Sequence, residues 1–130
     1  MNTRRQFLTL AACCTALAAT GALAAERRAF ETDAFHKAQA EGKSILVEIH
    51  APWCPTCKAQ QPILESLLSD PKYVAMTVFR IDFDSQKAAV RALKATSQST
   101  LITFKGKQET GRSVGDTASA SIAALLDSAL

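Results

Sequence analysis

The sequence predicts an α/β domain, an open sheet with helices on both faces. Three observations carry that expectation. Short, β-rich apolar runs alternate with stretches whose apolar residues recur at helical spacing. Glycines and an Asp-Pro pair fall between the runs, where chains turn. Two cysteines, Cys54 and Cys57, stand where a strand pattern gives way to a helix pattern.

The 130 residues, 48% of them hydrophobic, are enough for one core. A net charge of +3, with no basic block and no aromatic-basic interleaving, argues against a nucleic-acid partner. The chain shows no internal repeat.

Residues 1–24 read as export machinery. Arg4 and Arg5 form a positive n-region, Phe7 to Ala24 is apolar and uncharged, and Ala22-Leu23-Ala24 fits a small-residue cleavage site. Thr3-Arg4-Arg5-Gln6-Phe7-Leu8 resembles the twin-arginine export motif; an ordinary secretory signal is the alternative. The run is too short and alanine-rich for a membrane anchor. Leu10-Ala11-Ala12-Cys13 resembles a lipoprotein box but leaves only a stub of apolar h-region before it. Cleavage after Ala24 gives a domain of residues 25–130 and takes Cys13 and Cys14 with it, so Cys54 and Cys57 are the remaining thiols. An exported domain with one Cys pair has no structural disulfide framework, and its intrachain bridge is the redox pair itself.

In order, Thr32 or Asp33 is expected to cap a helix reaching Glu41, with Gly42 as its stop. Ser44 to Ile49 reads as a buried strand interrupted by one acid, Glu48. Lys58 to Ser69 carries Ile63, Leu64, Leu67 and Leu68 as a helical stripe, with Pro62 inside it as a kink. Met76 to Asp82 reads as a second buried strand, and Ser85 as the cap of a helix through Ala89, Val90 and Leu93. Thr100 to Phe104 and Gln108 to Val114 read as strands joined at Lys105-Gly106-Lys107. Gly115 breaks the pattern before a last helix from Thr117 to Ala129, marked by Ile122, Leu125, Leu126 and Ala129.

The two sulfurs have different expected jobs. A cysteine at a helix N-terminus meets unpaired N–H groups and the positive end of the helix dipole, which favour its thiolate. One turn later, the second thiol is placed to attack a mixed disulfide and release the product.

The element order together with Trp53-Cys54-Pro55-Thr56-Cys57-Lys58 resembles the thioredoxin family, over essentially all of residues 25–130. Pro62 matches that family's kink proline, Thr100 to Gly106 its strand and hairpin after the substrate-binding loop, and Val114-Gly115 the pair that lets a partner chain approach the dithiol. The resemblance implies a central mixed sheet with helices on both faces. It implies a thiol–disulfide oxidoreductase with no cofactor beyond a Cys54–Cys57 disulfide, and Cys57 as the less exposed cysteine of higher pKa. It also implies protein disulfides as substrates, a membrane thiol–disulfide electron donor, a periplasmic location and a monomer.

Three departures inform. Pro55-Thr56 replaces the frequent Gly-Pro dipeptide and, being uncharged, points to neither a strong reductant nor a strong oxidant. Glu48 stands where many relatives bury an aspartate, which implies proton relay to or from Cys57; a plain ion pair with Lys58 or another cation is the alternative. Ser99 stands where relatives carry a cis-proline before the residue aligned with Thr100. A non-proline cis bond costs ~2.5–4 kcal/mol, so Gln98–Ser99 is expected to be trans or rearranged, which alters the substrate-binding loop of Gln98, Ser99, Thr100 and Gly115. Loss of the ring also suggests easier access of thiophilic metals to the sulfurs, which metal retention in wild type against Ser99→Pro tests.

Around the dithiol, His50 as a cation would favour the Cys54 thiolate, and as a neutral ring would only pack. Trp53 is expected to cover the disulfide, Lys58 either to stabilise the thiolate or to lie in solvent, and His36 to be a surface residue. Cys54, Cys57 and His50 are too few ligands for structural zinc, so no metal site is expected. Rival readings are a copper(I) module using the two cysteines, a redox-silent binding domain, and a disulfide oxidant or isomerase. The absence of the oxidants' inserted helical domain favours reduction.

Overall fold

The computed structural model describes residues 24–130, so the export segment expected over residues 1–24 lies outside the described residues except for Ala24. The chain runs β1 (Glu26–Ala29), α1 (Thr32–Ala40), β2 (Ser44–His50), α2 (Pro55–Leu68), β3 (Thr77–Asp82), α3 (Lys87–Ala92), β4 (Thr100–Lys105), β5 (Gln108–Val114) and α4 (Ser119–Asp127). A 3₁₀ turn at Pro71–Tyr73 precedes β3. The strands form one sheet ordered β1-β3-β2-β4-β5. β1, β3 and β2 run parallel, while β4 is antiparallel to β2 and to β5. The sheet is therefore mixed.

Period-two alternation sends successive residues of each strand to opposite faces. Ile45, Val47 and Ile49 of β2 join Phe79, Ile81, Ile102 and Phe104 in one cluster, closed by Phe35 and Ala38 of α1 and Val90 of α3. Leu46, Val78 and Leu101 form the other, closed by Leu64 and Leu68 of α2 and Ile122 and Leu126 of α4. Two helices on each face follow from these two apolar sets. Full burial of each large apolar side chain stabilises by about 1.5–3 kcal/mol.

The structure departs from the sequence-based expectation at several ends. β1 was not expected: Glu-Arg-Arg-Ala has no apolar alternation and is exposed along its length. It exists because an edge strand needs only backbone pairing, here to β3. Glu31, not Thr32 or Asp33, precedes α1, without a side-chain cap. Ser85 does not cap α3; its hydroxyl is bound to Asp82 at 2.8 Å, and Gln86 takes the N-cap position. α2 begins at Pro55, earlier than Lys58, because proline at the first helical position gives up an amide that would be unpaired anyway. It continues through the exposed Pro62 to Leu68.

Candidate active site

β2 ends at His50 and the chain turns through Ala51 to Trp53 into α2, which places Cys54 at the N-cap. Cys54 Sγ accepts the Cys57 N–H at 3.0 Å. A sulfur thus does what a serine or aspartate oxygen does at an ordinary helix start. Cys57 sits one turn in, and the two form a free dithiol in a small cluster with Ala51, against which Phe83 packs.

Both cysteines are almost excluded from solvent, Cys54 at 1% and Cys57 at 2%, so the expected difference in exposure is absent. Hydrogen bonding makes the difference instead. Burial works against charge on Cys54, but bonds from the Cys57 thiol, the Ser99 hydroxyl and the amides of Cys57 and Thr56 outweigh it and lower its pKa. Cys57 is pushed up, first by burial and then by donating to Cys54. The pair is polarised toward a Cys54 thiolate and a Cys57 thiol.

Ser99 faces both sulfurs, with Oγ 3.3 Å from Cys54 Sγ and 3.6 Å from Cys57 Sγ. Every peptide bond among the described residues is trans, that between Gln98 and Ser99 included, and Ser99 has φ +58°. The loop is therefore rearranged: a left-handed serine replaces the cis-proline of the family pattern. That conformation costs an L-residue roughly 1–2 kcal/mol. Three bonds hold it: Ser99 N–H to Ile49 O at 2.8 Å, Gly115 N–H to Ser99 O at 2.9 Å, and Gln60 Nε2 to Ser99 O at 3.3 Å. Gly115 itself has φ +70° and open space where a Cβ would project. Thr100 is buried, its hydroxyl donating to Ser97 O at 2.7 Å, and the Gln98 carbonyl accepts the Ser97 hydroxyl at 2.8 Å.

Glu48 is buried at 3% exposure and points to the α2/α4 face with Leu46. Its oxygens meet Arg80 at 2.9 Å and Arg27 at 3.3 Å. Arg80 also donates to Gln61 Oε1. The contacts are those of an ion pair, and the cations are Arg27 and Arg80 rather than Lys58, which is exposed on α2.

The pKa of His50, a half-buried residue, is lowered by burial first and by the Arg80 charge next, against the raising pull of Glu48 and Asp82. That direction favours the neutral ring, and the bonds that favour the Cys54 thiolate come from elsewhere. Trp53 is 55% exposed, with its indole N–H on Asp84 at 2.7 Å. His36 is exposed, as expected. Among the described residues no group of three or more His, Cys, Asp or Glu is placed to hold a metal ion.

Three contributors escaped the sequence reading. Gln60, buried at 2%, ties Ser99 O to Asp116 O, the latter at 2.7 Å. A polar residue one turn after Cys57 and four before Leu64, on the buried stripe of α2, was its signal. Arg27 and Arg80 left none, because each belongs to a strand whose neighbours do not announce the pairing.

The protein-family comparison matches the family described as Thioredoxin over residues 26–128. The chain is 38% identical over 71 residues to the thioredoxin of Chlamydia muridarum, covering 55% of this chain and 68% of that one. It is 32% identical over 96 residues to a Staphylococcus aureus thioredoxin, covering 74% and 91%. The solved structure of Trxlp from Edwardsiella tarda is similar at a TM-score of 0.76 and 38% identity, over 78% of this chain and 98% of that one. Matched from β1 to the end of α4, with its free cysteine pair at the start of α2, the chain belongs to the thioredoxin family and is a thiol–disulfide oxidoreductase that works through its own Cys54 and Cys57.

Proposed function

We propose that this chain is an exported protein-disulfide reductase in which Cys54 is the nucleophile and Cys57 the resolving thiol. The reading rests above all on Cys54 Sγ at the N-cap of α2, receiving the Cys57 amide at 3.0 Å. A helix N-terminus with a lowered thiol pKa is the setting that activates cysteine.

The Cys54 thiolate attacks one sulfur of a substrate disulfide and expels the other as a thiolate, leaving a mixed disulfide. Cys57 then gives up its proton and attacks Cys54 Sγ. The second substrate sulfur leaves with the electron pair and takes up a proton. The substrate gains two electrons, and the enzyme is left with a Cys54–Cys57 disulfide. A membrane dithiol donor returns the pair to the reduced state, and removal of residues 1–24 delivers the domain to the periplasm.

The Trp53 face, 55% exposed and next to Cys54, suits an unfolded or extended substrate segment. An insulin-reduction assay with Cys54→Ser as control tests the activity. Catalytic precipitation of insulin that disappears in the variant is expected; no turnover combined with tight copper(I) uptake would replace the reading with a metal-binding one. Fractionation of cells carrying the full chain, against an Arg4→Lys/Arg5→Lys variant, tests export by the twin-arginine route.

A further inference from the structure

We propose that the Ser99 hydroxyl is a catalytic group of the dithiol, bridging the two sulfurs and carrying the Cys57 proton to the departing substrate sulfur. This deepens the reductase reading and rests on it. The bridge has a direction. The single Cys57 S–H proton has two acceptors, Cys54 Sγ and Ser99 Oγ at 3.6 Å; when Ser99 Oγ accepts it, the hydroxyl proton is free to point at Cys54 Sγ, 3.3 Å away. The hydroxyl is thus acceptor to one sulfur and donor to the other, as a group with one O–H and two lone pairs can be. At 5% exposure it works with little competition from solvent, where a hydrogen bond to a charged sulfur is strengthened.

Two features of the fold set this group up. The loop spends a left-handed serine, φ +58°, to aim it, and fixes that backbone through Ile49, Gly115 and Gln60. Strained conformations that the surroundings over-determine are found at working sites. Secondly, the acid that the family resemblance would make the relay is occupied elsewhere: the Glu48 oxygens meet Arg80 and Arg27. Ser99 Oγ is the side-chain oxygen bonded to Cys57 Sγ among the described residues.

In the resolving step the Cys57 S–H proton passes to Ser99 Oγ while the Ser99 O–H proton passes to the substrate sulfur bonded to Cys54. The Cys57 Sγ–Cys54 Sγ bond forms, the Cys54 Sγ–substrate sulfur bond breaks, and the electron pair leaves on the substrate sulfur. The hydroxyl is regenerated, and no outside oxidant or base is consumed. Before the first attack, the same hydroxyl steadies charge on Cys54.

Ser99→Gly is the discriminating variant, because glycine accepts φ +58° without strain while losing the hydroxyl. Ser99→Ala, which keeps a side chain in the same loop but carries no hydroxyl, is the second variant. Two mixed disulfides are formed on Cys54 of each protein at acid pH, where Cys57 stays protonated and does not attack, one with thionitrobenzoate, an acidic leaving group, and one with cysteamine, a basic alkyl thiol. Release of each is followed by rapid mixing over a pH series, alongside iodoacetamide alkylation of the reduced proteins. In Ser99→Gly, cysteamine release is expected to slow at least about ten-fold, the size of a lost general acid–base contribution. Thionitrobenzoate release should slow several-fold less, since an acidic thiol needs no proton to leave. The alkylation profile of Cys54 is expected to move to higher pH, and Ser99→Ala to follow Ser99→Gly in all three readouts. Equal release of both leaving groups in wild type and Ser99→Gly, with superimposed alkylation profiles, overturns the proposal while leaving the reductase intact. Failure of the wild type to release either thiol overturns the reductase reading and the proposal with it.

Discussion

Glu48 and Arg80 are directly paired neighbours in the parallel β2/β3 register, and their side chains meet at 2.9 Å on the α2/α4 face of the sheet. Arg27 reaches the second Glu48 oxygen at 3.3 Å from the edge strand. The carboxylate is 4% exposed and the two guanidinium side chains 37% and 32%, so the pair is buried at one end and open to water at the other. Removing Arg80 leaves a buried acid with one weakened partner. Arg80→Met is expected to lower unfolding free energy by about 1–3 kcal/mol, below the full penalty for breaking a buried pair because Arg27 remains. Urea denaturation of the two proteins at pH 7 measures it.

The same geometry separates structure from chemistry at Glu48. Glu48→Gln is expected to cost stability by about 1–3 kcal/mol while changing the pH dependence of insulin reduction little. A large shift of the pH–rate profile at unchanged stability would instead give Glu48 the relay role that its position in the family pattern implies.

How legible these features were depended on the kind of signal each leaves. Helices on both faces of the sheet were readable because Ser44 to Ile49 is a nearly continuous apolar run, the mark of a strand buried on both sides, and because the last helix repeats at i, i+3, i+4 and i+7. The dithiol was readable because the Cys-x-x-Cys spacing is local. β1 was not, since its partner is 51 residues away at Thr77 and its own side chains are solvated. Glu48 was recognised as out of place, but its cations come from two other strands, and long-range pairing leaves no mark in local sequence. Ser99 was recognised as a departure; only the fold reveals that its hydroxyl lies against both sulfurs.

Replacing Ser99 by the residue its relatives carry is expected to harm this protein. Proline cannot adopt φ +58° and has no N–H to give Ile49 O, now bound at 2.8 Å. Ser99→Pro should lose at least ~2 kcal/mol. A urea midpoint at or above that of wild type would mean that the loop accepts the family conformation.

The opposed shifts of the two thiols predict ordered labelling. Cys54 is lowered and Cys57 raised. Iodoacetamide should therefore modify Cys54 half-maximally below the ordinary thiol pKa of ~8.5, and Cys57 above it. Both shifts make the stability of the reduced protein depend on pH. The Cys54 contribution is present above the ordinary thiol pKa and fades as pH falls through its lowered value. The Cys57 contribution is present below the ordinary pKa and fades as pH rises through its raised value. Peptide mapping of the alkylated protein across pH 5–10 checks the order; simultaneous labelling would contradict it.

β5 lies close under α4 at Gly111, where a Cβ would come within 2.5 Å of Leu125 Cδ1 and 3.4 Å of Thr103 Oγ1. Leu125 is partly buried and can turn aside. Gly111→Ala is therefore expected to cost about 1–3 kcal/mol by overpacking without touching the dithiol. A thermal melt and an insulin assay on the same sample measure both halves of that expectation.

Cys54 attacks and Cys57 resolves in the proposed cycle, and trapping tests those two roles most directly. Cys57→Ser, exposed to a disulfide-bonded protein substrate and quenched with acid and alkylating agent, should accumulate a mixed disulfide that mass spectrometry maps to Cys54. Cys54→Ser should accumulate almost none. An adduct on Cys57 in the Cys54→Ser variant, formed as fast as the Cys54 adduct in the other, would contradict the assignment of roles to the two sulfurs.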